Sequence, residues 1–223
     1  NPCRLRSASS SLAEGTILSA KKIVLDLFKY SNRNRFFKFI IKYIFKIDNK
    51  NLSRPFFFKE NINLEFSSDF FYEYLSNNKI TKWSGRTPEE HYQSNHDLHK
   101  LDKLKKPIKL LEYYLNSEIK AKIFENSKIG RFKIKNLWFT IQRNNQGHSK
   151  HNHPKSLLSG VYYHQVDENS GGELEIFLKD KKIEYLPKKN DIIIFNSETF
   201  HSVKAYNGNN DRIAIAWDAI YTL

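Results

Sequence analysis

The hydrophobic and polar positions divide the chain into a helix-patterned first part and a strand-patterned second part. Apolar residues recur at helical spacing within residues 21 to 47 and within residues 101 to 125. One face of the second helix carries Ile108, Leu111, Tyr114, Leu115 and Ile119. Between these segments, residues 62 to 80 predict a short strand followed by a helix, and residues 81 to 100 predict a polar loop.

From residue 130 onward, short apolar runs alternate with turn signals. The runs are FKIKNLWFTIQR, SLLSGVYYHQV, ELEIFL, IIIF, VKAY and RIAIAWDAIY, and turns such as NNQG, ENSGG, PKKND and NGNN separate them. About seven strands of ordinary length in roughly 95 residues are typical of an antiparallel barrel or jelly roll. The pattern therefore predicts a mainly β fold with flanking helices, of the α+β class.

Charge adds a boundary to this picture. Residues 1 to 59 hold 13 Lys/Arg and 3 Asp/Glu, whereas the remaining residues hold 24 and 21, so most of the net charge of +13 lies in the first quarter. We expect residues 1 to 59 to form a basic, helical N-terminal segment or tail and residues 60 to 223 to form the barrel domain with its supporting helices. Weak contact with nucleic acid or an anionic membrane through residues 21 to 59 is one interpretation of the basic segment. Packing on its own domain or on a partner is the other.

Cysteine content and hydropathy bear on the compartment. The single cysteine excludes an internal disulfide, which fits a reducing compartment. The first residues lack the charged and apolar regions of a signal peptide, and an uncharged apolar run of about 18 residues, as a transmembrane helix needs, is absent from the sequence. We therefore expect a cytoplasmic protein without a transmembrane segment.

Three histidines frame the strand-rich half of the chain. His151 and His153 are two residues apart, and alternate side chains of a strand point the same way, so both imidazoles can face one cavity. His201 follows an apolar strand, 48 residues after His153. A close pair with a distant third ligand allows a barrel to build a three-ligand metal face from two strands. Because imidazole binds iron, zinc, copper and nickel alike, these ligands alone do not choose the metal.

Arg212 is a candidate anion anchor at the beginning of the closing strand. A guanidinium can hold a carboxylate with two parallel hydrogen bonds, which a lysine cannot copy. The strand around it otherwise contains Ile213, Ile215 and Trp217, and a buried arginine in such a setting needs an anionic partner. A surface arginine beside the Asn-rich turn is the alternative.

Taken together, HNHPKSLLSGVYY, SGGELEIF, DIIIFNSETFHSV and the following Arg212 resemble the 2-oxoglutarate/Fe(II) oxygenase superfamily. The similarity covers roughly residues 80 to 221 and is strongest to a bacterial and phage branch with an H-x-H-P-x-S-x-x-S-G-x-Y-Y signature. The resemblance implies a double-stranded β-helix, a jelly-roll or cupin-like barrel. It also implies an oxidoreductase with Fe(II) as cofactor, 2-oxoglutarate and dioxygen as co-substrates, and hydroxylase-type oxidation of an unidentified substrate.

Site residues follow from the same resemblance by motif position. His151, His153 and His201 match the metal ligands at the catalytic centre, with His153 in the place of the superfamily's usual carboxylate. Arg212 matches the residue that binds the far carboxylate of 2-oxoglutarate, and Tyr163 matches a tyrosine that reaches the same group. On the strand face of Tyr163, Ser159 is expected to line the same co-substrate pocket.

The histidine in place of the carboxylate leaves alternatives open. It removes a negative charge from the metal, which can change the chemistry, and His148 or Asp97 can still complete the ligand set. One alternative is a three-His, cupin-type dioxygenase that does not use 2-oxoglutarate, although PKSLLSG lacks the glutamate that cupins normally carry there. Another is a non-enzymatic metal-binding barrel or interaction module. For the 2-oxoglutarate-dependent oxygenase, we expect the substrate to enter past residues 81 to 100, where the candidate contacts are Trp83, His91, His96 and His99.

Overall fold

The structure of the protein is a computed structural model that describes residues 57–78, 91–123, 130–178 and 181–222. The predicted tail, the helix within residues 21 to 47, and Trp83 lie outside the described residues. So does nearly all of the basic segment for which nucleic-acid or membrane contact was predicted. Within the described residues, every helix is too short or too polar to cross a membrane.

Ten strands, three α-helices and two short 3₁₀ helices, Leu98–Lys100 and Asp102–Leu104, form the described part of the chain together with its loops and one π-helical turn. The strands are β1 (Phe57–Asn61), β2 (Tyr92–Gln93), β3 (Arg131–Gln142), β4 (Gln146–His151), β5 (Leu158–Gln165), β6 (Leu174–Phe177), β7 (Lys182–Tyr185), β8 (Asp191–Asn196), β9 (Phe200–Tyr206) and β10 (Arg212–Thr222). The helices are α1 (Ser68–Asn77), α2 (Lys105–Tyr114) and α3 (Lys120–Ile123), and a π-helical turn, Leu115–Ile119, joins α2 to α3.

The strands form two antiparallel sheets. The major sheet has six strands in the order β1-β8-β5-β10-β3-β2, and the minor sheet has four in the order β4-β9-β6-β7. Apolar side chains from both sheets pack into one buried core cluster, which is formed by Tyr163, Leu174, Ile176, Ile193, Phe195 and Ala214. Two antiparallel sheets closed over a shared core form the predicted jelly-roll type of double-stranded β-helix, so the fold class is confirmed.

Helical segments cover the major sheet. Phe71 of α1 packs against Phe139 of β3 and against His164 of β5, with ring centroids 5.0 Å apart in both pairs. Along α2 and the π-turn, Leu111, Leu115 and Ile119 are completely buried, as their helical spacing predicted.

The sequence pattern missed or misplaced some elements. The first strand was predicted within residues 62 to 80, but β1 ends at Asn61, pairs with β8, and is followed by an irregular stretch before α1. The strand β4 was misplaced: its first two residues, Gln146 and Gly147, were predicted to belong to the NNQG turn, and a strand was predicted only around His151 and His153. Its residues, QGHSKH, are half-buried or exposed, so they do not alternate between apolar and polar as a strand on a core would.

Candidate metal and co-substrate site

His151 and His201 face each other across the minor sheet. His151 is the last residue of β4 and pairs in register with His201 of β9. Their ring centroids are 4.2 Å apart. Directly opposed residues of an antiparallel pair place their side chains on the same side of the sheet, so the strand pairing alone brings these two imidazoles together.

His153 joins the pair from outside the strand. The sequence predicted that His151 and His153 share a strand, but β4 ends at His151 and His153 lies in the loop that follows. The backbone N–H of His153 donates to the carbonyl of Ser197 at 2.7 Å, which fixes this loop against the turn that precedes β9. The nearest ligand atoms of His151, His153 and His201 all lie within 4.8 Å of one another, so the three rings form one cluster that can hold a metal ion.

Hydrogen bonds set the tautomers of the two paired histidines. The Nδ1 of His151 lies 2.8 Å from the carbonyl of Ser149, and the Nδ1 of His201 lies 3.1 Å from the carbonyl of Thr199. A carbonyl only accepts, so each Nδ1 carries the proton and each Nε2 carries the lone pair that a metal needs. The arrangement is that of metal-ligating histidines.

The environment also keeps the buried histidine neutral. Burial, and then the neighbouring His151 and His153, hold the pKa of His201 well below its usual value. A neutral imidazole is the form that binds metals, because protonation removes the lone pair.

An acid that the sequence analysis did not single out lies behind the cluster. Asp218 of β10 is 4% exposed, and its Oδ1 lies 3.4 Å from the Nδ1 of His153. Ser159 donates its hydroxyl to Oδ1 at 2.7 Å, and Asn136 donates its amide to Oδ2 at 3.0 Å. Burial tends to raise the pKa of Asp218, but the contacts with His153, Asn136 and Ser159 outweigh burial and lower it. A lone acid in the otherwise apolar run RIAIAWDAIY was the signal that could have identified it.

Arg212 is buried, and within the described ranges of the chain no carboxylate pairs with it. It is 1% exposed, and its guanidinium donates to the side-chain oxygen of Gln142 and, at 3.2 Å, to the carbonyl of Gly172. Its Nε is buried with no hydrogen-bond partner among the described residues. Burial lowers the pKa of Arg212. A buried cation held only by neutral acceptors leaves a charge uncompensated, so this position suits an anion.

Tyr163 completes the anion position. Its ring centroid lies 5.0 Å from the guanidinium carbon of Arg212, and its hydroxyl is likewise buried without a hydrogen-bond partner among the described residues. Burial raises the pKa of Tyr163 to about 12, with Arg212 acting in the opposite direction, so the hydroxyl keeps its proton. Two unpartnered donors thus lie beside one buried cation, as a carboxylate ligand would require.

One open cavity contacts both groups of residues. It has an empty volume of about 540 Å³, including its opening to solvent. His151, His153 and His201 line it together with Arg212 and Tyr163. Apolar and small side chains form much of the remaining wall, among them Val161, Leu174, Phe195, Val203, Ala214 and Ala216. The residues present therefore fit a metal ion and a small dicarboxylate in one cavity.

The other candidate residues occupy different positions. His91 and His148 line the cavity, and the ring of His148 lies 4.3 Å from that of His151. His96 stacks on Trp138, which in turn stacks on His153. Asp97 is exposed and lies 3.7 Å from Lys100, and it is not among the described residues that cluster with the three histidines.

One family model and several solved structures are similar to this chain. Residues 136–185 match the model of the family described as "Putative 2OG-Fe(II) oxygenase". A Pseudomonas putida prolyl-4-hydroxylase is 13% identical, with a TM-score of 0.54 over 77% of this chain and 96% of that one. The viral collagen prolyl hydroxylase of Paramecium bursaria Chlorella virus 1, in complex with 2-oxoglutarate, is 18% identical, with a TM-score of 0.51 over 73% and 95%. HygX from Streptomyces hygroscopicus, with nickel and 2-oxoglutarate bound, is 9% identical, with a TM-score of 0.51 over 75% and 84%. No curated protein matches the chain.

The fold and the histidine cluster define a double-stranded β-helix with a candidate metal site. The family match covers the segment that contains His151 and His153, and the structural neighbours share the double-stranded β-helix. Over residues 136–185 the chain therefore resembles the 2OG-Fe(II) oxygenases, and the resemblance predicted from the sequence is confirmed. The narrower assignment to the bacterial and phage branch with the H-x-H-P signature stays a prediction.

Proposed function

We propose that the chain is an Fe(II)- and 2-oxoglutarate-dependent dioxygenase that oxidises a substrate in the manner of a hydroxylase. The observation that carries this proposal is the placement of two complementary sites on one cavity. A three-histidine cluster that suits a divalent metal and a buried, uncompensated cation that suits a carboxylate both line it.

The residues of the cavity divide into metal ligands and groups that bind the co-substrate. His151, His153 and His201 bind Fe(II) through Nε2, and Arg212 and Tyr163 hold the far carboxylate of 2-oxoglutarate through their buried donors. Ser159 lines the same cavity, although its hydroxyl proton is directed at Asp218. When bound, Fe(II) supplies the activation of dioxygen that is coupled to oxidative decarboxylation of 2-oxoglutarate.

The barrel contributes orientation and exclusion of water. The neutral, carbonyl-oriented imidazoles are preorganised for the metal, which reduces the rearrangement needed on binding. The apolar wall formed by residues such as Leu174, Phe195 and Val203 keeps the space between the metal and the anion position poor in water. Dioxygen and an unidentified substrate are the remaining reactants.

The histidine at position 153 favours a second candidate function. Three neutral ligands are also the set used by dioxygenases that do not need 2-oxoglutarate. The uncompensated Arg212 argues for the first function, because a three-histidine dioxygenase has no need of a buried anion anchor.

Anaerobic reconstitution with Fe(II) separates these readings. We expect 2-oxoglutarate to produce a visible metal-to-ligand charge-transfer band in the wild-type chain, and we expect the band to be lost in Arg212→Ala. Iron binding without a band would favour the three-histidine dioxygenase. A chain that binds no iron would instead be a non-enzymatic barrel.

Three further proposals concern the basic segment, the location of the protein and its division into domains. Contact of residues 21 to 59 with nucleic acid or an anionic membrane remains a prediction from the basic composition. A cytoplasmic location remains a prediction from the single cysteine. We also propose the division into residues 1 to 59 and 60 to 223, although β1 already joins the barrel at Phe57.

A further inference from the structure

The structure points to Asp218 as the residue that supplies, from behind His153, the negative charge that the ligand set lacks. We infer that Asp218 orients the His153 ring and makes it a more basic ligand, so that Asp218 and His153 act together in place of a directly coordinating carboxylate. This inference rests on the proposed metal site. It goes beyond that proposal because it assigns a positioning role to a residue outside the three ligands.

Asp218 and His153 are in direct contact. Asp218 Oδ1 lies 3.4 Å from His153 Nδ1, the ring nitrogen that corresponds to the carbonyl-bonded nitrogen of His151 and His201. Carbonyls thus orient two of the three rings, and a carboxylate contacts the third. A carboxylate behind a metal-bound imidazole raises its basicity more than a neutral carbonyl does.

The major sheet holds the Asp218 carboxylate in place. Asn136 of β3 and Ser159 of β5 are the direct cross-strand partners of Asp218 in β10, and both donate hydrogen bonds to it. The three residues therefore form a polar row across three adjacent strands of the major sheet. The register between β10 and β3 shifts immediately after this row, between Asp218 and Ala219. Such irregularities often re-aim side chains beside active sites.

The three-histidine ligand set carries no negative charge of its own. A site with two histidines and one carboxylate gives Fe(II) one negative ligand, whereas three imidazoles give it none. Asp218 is buried, accepts hydrogen bonds from the neutral Asn136 and Ser159 and contacts His153, and no lysine or arginine of the described residues pairs with it. The buried negative charge that remains lies against the imidazole that replaced the carboxylate.

Burial alone does not carry the inference. Asp191 is a second buried carboxylate, and its contacts are the Tyr185 hydroxyl, the backbone N–H of Lys188 and the Asn61 amide. It contacts no histidine of the cluster, so it serves as a structural carboxylate. Asp191 therefore provides a matched control for the loss of a buried acid.

Anaerobic titration of the full metal-free chain with Co(II), followed by its visible ligand-field spectrum, tests the role of Asp218. We expect Asp218→Asn to weaken Co(II) binding by roughly 10- to 100-fold and to change the spectrum, as losses of such supporting contacts do. We expect Asp191→Asn to leave the affinity of the folded protein unchanged. An affinity and spectrum of Asp218→Asn equal to those of the wild type would overturn the inference. Failure of the wild type to bind Co(II) would instead overturn the proposed metal site.

A charge-exchange experiment covers the case in which Asp218→Asn alone disturbs the fold. His153→Asp places a second carboxylate beside Asp218. Two adjacent carboxyl groups retain a proton that the metal has to displace, so we expect this variant to bind Co(II) poorly at neutral pH. Adding Asp218→Asn to His153→Asp moves the single negative charge to the ligand position, and we expect this double variant to recover most of the lost affinity. A double variant no better than His153→Asp would contradict the exchange of roles.

Discussion

The guanidinium carbon of Arg212 lies 5.0 Å from the ring centroid of Tyr163, and each of these buried side chains keeps a polar atom without a hydrogen-bond partner among the described residues. A buried arginine without a carboxylate and a buried hydroxyl without an acceptor both lower the stability of the fold. Their proximity indicates that this cost is concentrated at one place, where an anionic ligand would remove it.

Replacing Arg212 with Met is therefore expected to separate stability from ligand binding. The substitution removes an uncompensated buried charge, which stabilises the fold, but it also leaves the Gln142 oxygen and the Gly172 carbonyl without their donor, which destabilises it. Because these effects oppose each other, the ligand-free variant should melt within a few degrees of the wild type. Its affinity for 2-oxoglutarate should fall by roughly 30-fold or more, the equivalent of about 2 kcal/mol or more. Thermal unfolding of the Fe(II) form with and without 2-oxoglutarate measures both effects.

Arg143→Met provides the control for this experiment. Arg143 is an exposed arginine that pairs with Asp211 at 2.9 Å, outside the cavity. The stabilisation by 2-oxoglutarate should be the same in Arg143→Met as in the wild type. A ligand-free Arg212→Met that unfolds far below the wild type would show that the guanidinium is a structural group.

Tyr163→Phe tests the second unpartnered donor. Because the hydroxyl proton of Tyr163 has no acceptor in the part of the chain that the structure describes, removal of the hydroxyl should change the free energy of unfolding by less than about 1 kcal/mol. The affinity for 2-oxoglutarate should fall by about 10-fold or more, as expected for one lost hydrogen bond of about 1.5 kcal/mol or more to a charged group. With a pKa near 12, Tyr163 keeps its proton, so the ratio of the two dissociation constants should be the same at pH 7 and pH 9. Calorimetric titration at both pH values measures it, and equal affinities of the two proteins would remove Tyr163 from the anion position.

Gly172 controls the position of Arg212 through close approach. It has a φ of +72°, and an added Cβ would lie 3.0 Å from the Nε and 3.2 Å from the Cδ of Arg212. Gly172→Ala should therefore strain the backbone and displace the guanidinium, which lowers 2-oxoglutarate affinity while Fe(II) affinity stays within about twofold, because no histidine of the cluster moves.

Gly171→Ala isolates the backbone part of this effect. Gly171 has the same φ of +72°, but its added Cβ would meet the carbonyl of Ala205 and not Arg212. Both variants should lower the melting temperature, and only Gly172→Ala should also weaken 2-oxoglutarate binding. An equal loss of affinity in the two variants would attribute the effect to loop strain.

The sequence predicted the part of the site that local patterns encode. The motif spacing identified His151, His153 and His201 as a group, and the apolar run around Arg212 indicated that its charge would be buried. It did not reveal that β4 pairs with β9, because QGHSKH lacks apolar alternation and its strand character comes from its partner. The spacing of His151 and His153 predicted that His153 lies on the same strand. A long-range hydrogen bond to Ser197, which local sequence does not show, holds His153 in a loop instead.

Asp218 shows why the remainder was not predictable. Its role depends on Asn136 and Ser159, which are 82 and 59 residues away in the chain and become neighbours only through strand register. Local propensity contains no information about that register. The register is set by which face of each strand is buried in the folded sheet. The chain alone showed an acid in an apolar strand, and only the pairing showed what the acid contacts.

His164 links α1 to the barrel and should make that link sensitive to acid. Its Nε2 lies 2.8 Å from the hydroxyl of Ser68, and its ring packs against Phe71. Burial, followed by the charge of Lys189, lowers the pKa of His164 below its value in an unfolded chain. A group with a lowered pKa in the folded state favours folding above its unfolded pKa of about 6.5, and this contribution is lost as the pH falls.

The stability of the wild type should therefore decline between pH 7.5 and pH 5 more steeply than that of His164→Gln, which cannot take up a proton but can still bond Ser68. The other histidines are present in both proteins, so their titration cancels in the difference. Chemical unfolding of the metal-free proteins across this range measures the slopes, and hydrogen exchange of the α1 amides locates the change. Parallel pH profiles for the two proteins would mean that His164 contributes nothing to the pH dependence of stability. Protonation of His164 would then not loosen α1.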